Sequence, residues 1–377
     1  MKKYFTITNA AALYFLLLLF MYTPATAQMM RLPDGNVNYK CKAARMLGAT
    51  EISINWNAPG VKGREGKIWG TDVAPYGFNV LGFGSSVASP WRAGADESTT
   101  ISFSTDVTIN GKPLAAGRYG FFIALYPDSC TLIFNKNTAG WGSYFYKSTM
   151  DVLRVTAHQQ KDMKESKERL DYSFSKQTAS SVELALEWEK WRIPFTVEVD
   201  LVNTTLDFIH AQMSGAAGFD PPSLEAAATW CLQNNVNTEE ALGWINAASD
   251  PNLGGVNSFK TLSTKAGLLN RLGKKEEADK IMQTAMNNAG VSELHNYGRQ
   301  LLSENKIKEA VAVFELNYKK FKGAWPTNAG LMRGYSAMGD LKKALKYAKA
   351  ALAQAPNEEI KKIISNAVDS LEKGKAL

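Results

Sequence analysis

The hydrophobic pattern changes its period once, near residue 200, and that change restricts what this chain can fold into. Before it, the period is two: Ile52, Ile54 and Trp56 alternate with Glu51, Ser53 and Asn55. A strand with one buried face requires this spacing, because successive side chains point to opposite faces. Val182, Leu184, Leu186 and Trp188 repeat it, and Phe195, Val197 and Val199 follow. Further strands are expected at 131–135, 152–157 and 170–175. Asn110-Gly111 signals a two-residue hairpin, since both central residues of a type I′ turn need positive φ. Ile101, Phe103, Val107 and Ile109 lead into that turn, and 117–123 returns from it. The charged stretch 160–169 reads as a solvent loop or a single helical turn. Many short strands without helical spacers predict an antiparallel sandwich.

After about Asn203 the period becomes 3.6 and a repeat emerges. Ala278, Ala310 and Ala344 are spaced by 32 and 34 residues, and each follows a break at Gly273, Asn305 or Gly339. Apolar helices precede the breaks at 266–272, 297–302 and 331–338, and others follow at 278–286, 310–318 and 344–352. Gly or Asn relaxes the turn of each helix hairpin, and alanine lets the paired helices approach. Pro356 ends the last of them. Thr238-Glu239-Glu240-Ala241, after Asn235, marks a divergent earlier copy before the loop at 250–255. The stretch from about 223 to 357 resembles the tetratricopeptide repeat, whose period is about 34 residues. The fold class is therefore α+β in two domains: an antiparallel β-sandwich at 28–202, then an α-helical solenoid of tetratricopeptide-like repeats at 203–377.

Residues 1–27 have the plan of a secretory signal peptide. Met1-Lys2-Lys3 is a positive start, 10–22 is an apolar run, and Ala25-Thr26-Ala27 is a small-x-small cleavage site. The run is short of the about 20 residues that span a bilayer. No cysteine follows Ala27, which argues against a lipid anchor. An exported protein is expected, periplasmic or extracellular, with no transmembrane segment after cleavage. Cys41, Cys130 and Cys231 are too few and odd in number for a disulfide framework, although a bridge between Cys41 and Cys130 stays open. His158, His210 and His295 are scattered, so neither a metal site nor a cofactor is expected. The net charge of +7 is uneven: 258–377 carries 21 Lys/Arg against 12 Asp/Glu, a net of +9, which leaves −2 for the rest. Such a tail could lean on anionic lipid, envelope polymer or an acidic partner. The lysines are spread around their helices, which favours a solvated surface, and aromatic interleaving of the nucleic-acid kind is absent.

Chemistry concentrates in one stretch of the β half. Lys62-Gly63-Arg64, Pro75-Tyr76-Gly77, Trp91-Arg92-Ala93-Gly94 and Glu97 put arginines, a lysine, a carboxylate and aromatics on turns fixed by Gly and Pro. Further on come F-S-x-D-V, N-G-K-x-L-x-A-G-x-Y, Ile133-Phe134-Asn135-Lys136, Trp141-Gly142-Ser143-Tyr144 and Asp151-Val152-Leu153-Arg154-Val155. In order and approximate spacing this series resembles the secreted bacterial domain-of-unknown-function family 2911, over most of 32–199. The resemblance implies a compact β domain of unestablished activity, in some members followed by helical repeats. Two departures stand out: an insertion at 78–90 containing Gly82, Gly84, Ser85 and Ser86, and Asp96 where asparagine is more usual.

The candidate ligand-binding residues are Lys62, Arg64, Tyr76, Trp91, Arg92, Glu97, Asn135, Trp141 and Tyr144. Aromatic faces beside arginine suit a glycan, an envelope fragment such as one of peptidoglycan, or a carboxylated small molecule. Each residue also has an ordinary structural reading: Arg92 pairing with Glu97 across a turn, and the tryptophans plugging the ends of the sandwich. The alternative is a hydrolase of an envelope polymer using Asp96 or Glu97. Glycosidic hydrolysis needs two carboxyls about 5–10 Å apart, whereas adjacent strand residues diverge. No G-x-S-x-G, H-E-x-x-H, P-loop or dinucleotide fingerprint is present, so no catalytic residue is assigned. The helical repeats are expected to take an envelope protein or peptide, with Tyr297, Tyr318, Trp325 and Tyr335 either lining a groove or packing between repeats.

Overall fold

Ile52, Ile54 and Trp56 turn inward between two antiparallel sheets, as their alternation requires. The computed structural model describes residues 38–85 and 87–377, so the leader expected at 1–27 lies outside the described residues. The chain divides between Glu198 and Val199 into a β unit and a helical unit.

In the β unit the first sheet runs β1 (Tyr39–Leu47), β2 (Thr50–Ala58), β5 (Thr100–Phe103), β8 (Gly117–Leu125), β9 (Cys130–Asn135) and β10 (Asp151–Ala157). The second runs β11 (Lys167–Ser175), β12 (Ser181–Glu189), β13 (Trp191–Glu198), β6 (Val107–Ile109) and β7 (Lys112–Leu114). A short arm pairs β3 (Asn79–Val80) with β4 (Ala88–Ser89). The sheets face each other as the expected sandwich. Phe121 and Phe195, from opposite sheets, stand 5.6 Å apart, and the Trp56 indole N–H donates across the core to the Leu170 carbonyl at 3.1 Å. Burying an aliphatic or aromatic side chain of this size contributes about 1.5–3 kcal/mol.

Three expectations need correction. The Asn110-Gly111 turn forms, with φ of 46° and 77°. It joins β6 to β7 in the second sheet, however, while Ile101 and the returning strand pair in the first. The chain changes sheet on either side of the hairpin, which alternation cannot reveal because both sheets share one core. Within 160–169, Lys167 already belongs to strand β11; its ammonium reaches Glu187 at 2.5 Å and Asp171 at 3.1 Å on the outer face. Strand β1 carries no clear alternation; it is an edge strand, mostly exposed and carrying Lys40, Lys42 and Arg45. Strands β2, β5 and β8 separate Cys41 from Cys130, a gap of about 19 Å, so the two do not pair and all three cysteines are free.

The helical unit holds α1 (Leu201–Met213), α2 (Pro221–Asn234), α3 (Thr238–Ala248), α4 (Phe259–Arg271), α5 (Lys275–Asn288), α6 (Val291–Ser303), α7 (Ile307–Lys320), α8 (Trp325–Met338), α9 (Leu341–Ala353) and α10 (Glu358–Glu372). Pairs α4/α5, α6/α7 and α8/α9 are the three repeats, and α2/α3 is the earlier copy. Gly273, Asn305 and Gly339 take φ of 75°, 58° and 87° at the turns, the left-handed conformation that closes a helix. Ala278, Ala310 and Ala344 are fully buried where the paired helices cross. The aromatics weighed for a groove make contacts between helices, and Tyr297 also lines a cavity of about 300 Å³ with Met286, Leu301 and Glu309. Tyr335 is buried and stacks on Tyr347 at 5.7 Å, Tyr318 meets Tyr347 edge-on, Tyr297 meets Phe259, and Trp325 leans on the same core.

Phe314 of α7 is the keystone of that core. A Cβ at Gly298 or Gly330 would stand 2.4 or 2.5 Å from its ring, so both neighbouring helices need glycine there. Gly330→Val is expected to cost about 1–3 kcal/mol by overpacking, and Phe314→Ala about 3–5 kcal/mol. Urea unfolding followed by helical circular dichroism measures both. The double variant should lose less than the sum, because the ring that valine strikes is gone; strict additivity would contradict this packing.

Candidate ligand-binding site

Four tryptophans set the geometry around the candidate residues. Trp69 lies on the long loop after β2, Trp91 begins the segment before β5, and Trp188 and Trp191 flank the turn of the β12/β13 hairpin. Trp69 stacks on Trp191 at 4.5 Å and Trp91 on Trp188 at 6.2 Å, while Trp69 meets Trp91 and Trp188 edge-on. Trp91 is 5% exposed and its backbone exchanges two hydrogen bonds with Ile123. It plugs the core, as its structural reading had it. As an aromatic platform for a ligand it is corrected, because both its ring and its backbone are committed.

The residue after it turns outward. Arg92 joins Lys62 and Arg64 around a cavity of about 360 Å³, lined also by Asn38, Asp96 and Trp188. Arg64 is half-buried and donates to the carbonyls of Val61 at 3.0 Å and Gly60 at 2.7 Å, which folds it onto its own loop. Lys62 is exposed and sits at φ 53°, its backbone N–H donating to the Glu168 carboxylate at 3.1 Å. Arg92 donates to the Asp96 carbonyl at 3.0 Å and lies 5.7 Å from the centre of the Tyr144 ring. A Cβ at Gly142 would come within 2.5 Å of the same guanidinium, so the chain passes there as bare backbone. Among the described residues none of these three cations is in a salt bridge. Asp96, at φ 53°, is the one carboxylate among the lining residues and accepts from Asn38 at 3.2 Å. In the same wall Trp188 is 1% exposed, and its indole N–H has no hydrogen-bond partner.

Glu97 opens on a different cavity. It accepts from Lys40 at 2.9 Å and from the Asn57 amide at 2.7 Å, and it lines a space of about 300 Å³ with Asn55, Thr100, Arg118 and Thr138. These residues come from the outer face of the first sheet and from the 138–140 segment laid over it. Arg92 therefore does not pair with Glu97, and Asp96 and Glu97 face separate cavities. Asn135 is fully buried. Its amide donates to the Lys147 carbonyl and to Asp151, and its oxygen accepts from Asn137, so it ties β9 to the segment that follows and lines neither cavity. That corrects its reading as a ligand donor. Tyr76 is exposed but sits over Gly70, away from both cavities. Trp141 is 42% exposed between Gly140, in the wall of the second cavity, and Gly142 beside Arg92.

The inserted 78–90 arm braces Tyr144. Ser85 N–H donates to the Tyr144 carbonyl at 2.7 Å and Phe83 meets its ring at 5.8 Å; Ser86 lies outside the described residues. Sequence reasoning missed Lys40, Asn57 and Arg118. The available signal was polar: Asn55 and Asn57 alternate with Ile54 and Trp56, placing two amides on the outer face of an interior strand. Among the described residues no group of three or more His, Cys, Asp or Glu could hold a metal ion. Among them too, no helix is long and apolar enough to cross a membrane.

Residues 39–197 match the family model described as "Protein of unknown function (DUF2911)". The β unit carries this domain. Apart from Asn38, all residues named here around both cavities fall inside the matched span of the DUF2911 domain. No curated protein matches the chain. Among solved structures, a tetratricopeptide repeat protein from Parabacteroides merdae is similar at 16% identity, covering 46% of this chain and 67% of its own, with a TM-score of 0.30. MamA from Desulfovibrio magneticus is similar at 18% identity over 42% of this chain and 95% of its own, with a TM-score of 0.25. Scores this low add nothing to the helix pairs already described.

The Glu97 carboxyl is held below the ordinary glutamate value of 4.5. Burial pushes it up, but Lys40, its own backbone amide and Asn57 outweigh that. A depressed folded value contributes stability that is present above 4.5 and is lost as pH falls through the folded value. The melting temperature should therefore fall on acidification below about pH 4.5, and less steeply in Glu97→Gln. Parallel acid profiles for the two proteins would contradict the assignment.

Proposed function

We propose that the DUF2911 domain is a non-catalytic module that binds a small carboxylated molecule, and that the helical repeats dock an envelope protein or peptide. The observation that carries the first part is the convergence of Lys62, Arg64 and Arg92 on one cavity with a single carboxylate in its lining. Guanidinium groups hold carboxylates through paired, charge-assisted hydrogen bonds. Arg64 and Arg92 are already fixed by backbone carbonyls, so little side-chain freedom is lost on binding. The leader-like residues 1–27 support export, which places the ligand among molecules of the periplasm or the cell exterior. The hydrolase reading would need two carboxyls in one cavity, whereas the lining of each contains one.

The test is thermal shift and calorimetric titration of the purified chain with galacturonate. Galacturonate should raise the melting temperature, with affinity falling as salt is added. Lys62→Ala should weaken binding about five-fold, the scale of an exposed charge contact. Arg92→Ala should remove binding while leaving the ligand-free melt within about 2 °C of the parent. Binding that survives both substitutions would sink the proposal.

A further inference from the structure

The geometry points to an elongated ligand: we infer that the β unit binds an acidic oligosaccharide of at least two sugar units across both cavities. The carboxylate sits among Lys62, Arg64 and Arg92, and a neighbouring unit lies in the Glu97 cavity. This rests on the anion-binding reading above and extends it.

The linings of the two cavities draw on neighbouring residues of the same segments. Asn38 hydrogen-bonds Asp96 on the rim of the first, and Lys40 hydrogen-bonds Glu97 on the rim of the second. Two residues of chain span at most about 7 Å, which is close to the length of one sugar ring with its linkage. Asp96, in the lining of the first cavity, and Glu97, in the lining of the second, are themselves consecutive. Their chemistries differ in the way such a ligand needs. The first cavity is cationic. The second offers the Asn55 amide, the Thr138 hydroxyl and the Arg118 guanidinium, a mixture of donors and acceptors that matches sugar hydroxyls, while the buried Asn57 and Thr100 hold Glu97 and Arg118 in place.

An aromatic face stands at the junction. The 138–142 segment runs from the wall of the second cavity to the backbone beside Arg92 and carries Trp141, 42% exposed, between them. The Ser98 hydroxyl reaches the carbonyls of Gly140 at 3.0 Å and Gly142 at 2.6 Å, and so straps that segment down on both sides of Trp141.

Isothermal titration of the purified chain with galacturonate, its dimer and trimer, and neutral cellobiose tests the inference. The dimer should bind at least about ten-fold tighter than the monomer, a step of about 1.4 kcal/mol. Arg118→Ala and Thr138→Ala, both on the second cavity, should remove that gain and leave monomer affinity unchanged. Arg92→Ala should remove monomer binding and weaken the dimer with it. Cellobiose should bind weakly or not at all. If the dimer binds no tighter than the monomer, or keeps its gain in both second-cavity variants, the extended site is overturned while the anion site stands. If neither acid binds, the anion-binding reading fails and the extension falls with it.

Discussion

The cationic cavity of the β unit depends on four indoles packed on one another. Trp69 and Trp91 belong to irregular segments on either side of the β3/β4 arm, and Trp188 and Trp191 to the ends of a regular hairpin. The packing fastens the irregular segments to the sheets at one place. Just beyond Trp91, the Ala93 carbonyl accepts from the Thr99 hydroxyl at 3.0 Å and from the Tyr172 hydroxyl at 2.8 Å, while Ala93 takes φ 50°. A non-glycine residue in that conformation persists only where its surroundings over-determine it. Arg92 lies between these two anchors, so its outward direction is dictated by the core.

Held in this way, Arg92 cannot relax away from Arg64 and Lys62. Like charges gathered around one space cost folding free energy, and keeping them without ion pairing among the described residues departs from the usual preference for satisfied electrostatics. Such departures concentrate at functional positions. The adjacent Glu97 shows the opposite arrangement, a carboxylate that accepts from Lys40 and Asn57. One short segment thus carries a cationic group beside one cavity and a hydrogen-bonded carboxylate beside the other, and the left-handed backbone at Asp96 separates them.

Much of the architecture was legible because it is periodic. Alternation at 52–56 and 182–188 gave the buried faces, and Ala278, Ala310 and Ala344 marked the helix crossings. The exchange of β6 and β7 into the second sheet was not legible, since strands of both sheets bury the same alternating residues. The candidate residues were visible as a cluster on Gly- and Pro-rich turns, yet not the direction each takes. Trp91 and Arg92 are neighbours, and one plugs the core while the other lines a cavity. Asn135 read as a donor for a ligand, but its donors are consumed inside the fold. The second cavity draws on β1, β2, β5, β8 and the 138–140 loop, residues that no local window brings together. The aromatics of the helical unit stayed ambiguous in sequence because groove lining and inter-helix packing use the same residue types.

The most direct test of the central claim is a crystal structure of the protein with galacturonate bound. The account places the carboxylate within hydrogen-bond distance of the Arg92 guanidinium, beside Arg64 and Lys62 and against the wall that contains Trp188. A carboxylate bound elsewhere on the β unit, with Arg92 and Arg64 turned toward protein carboxylates, would contradict it.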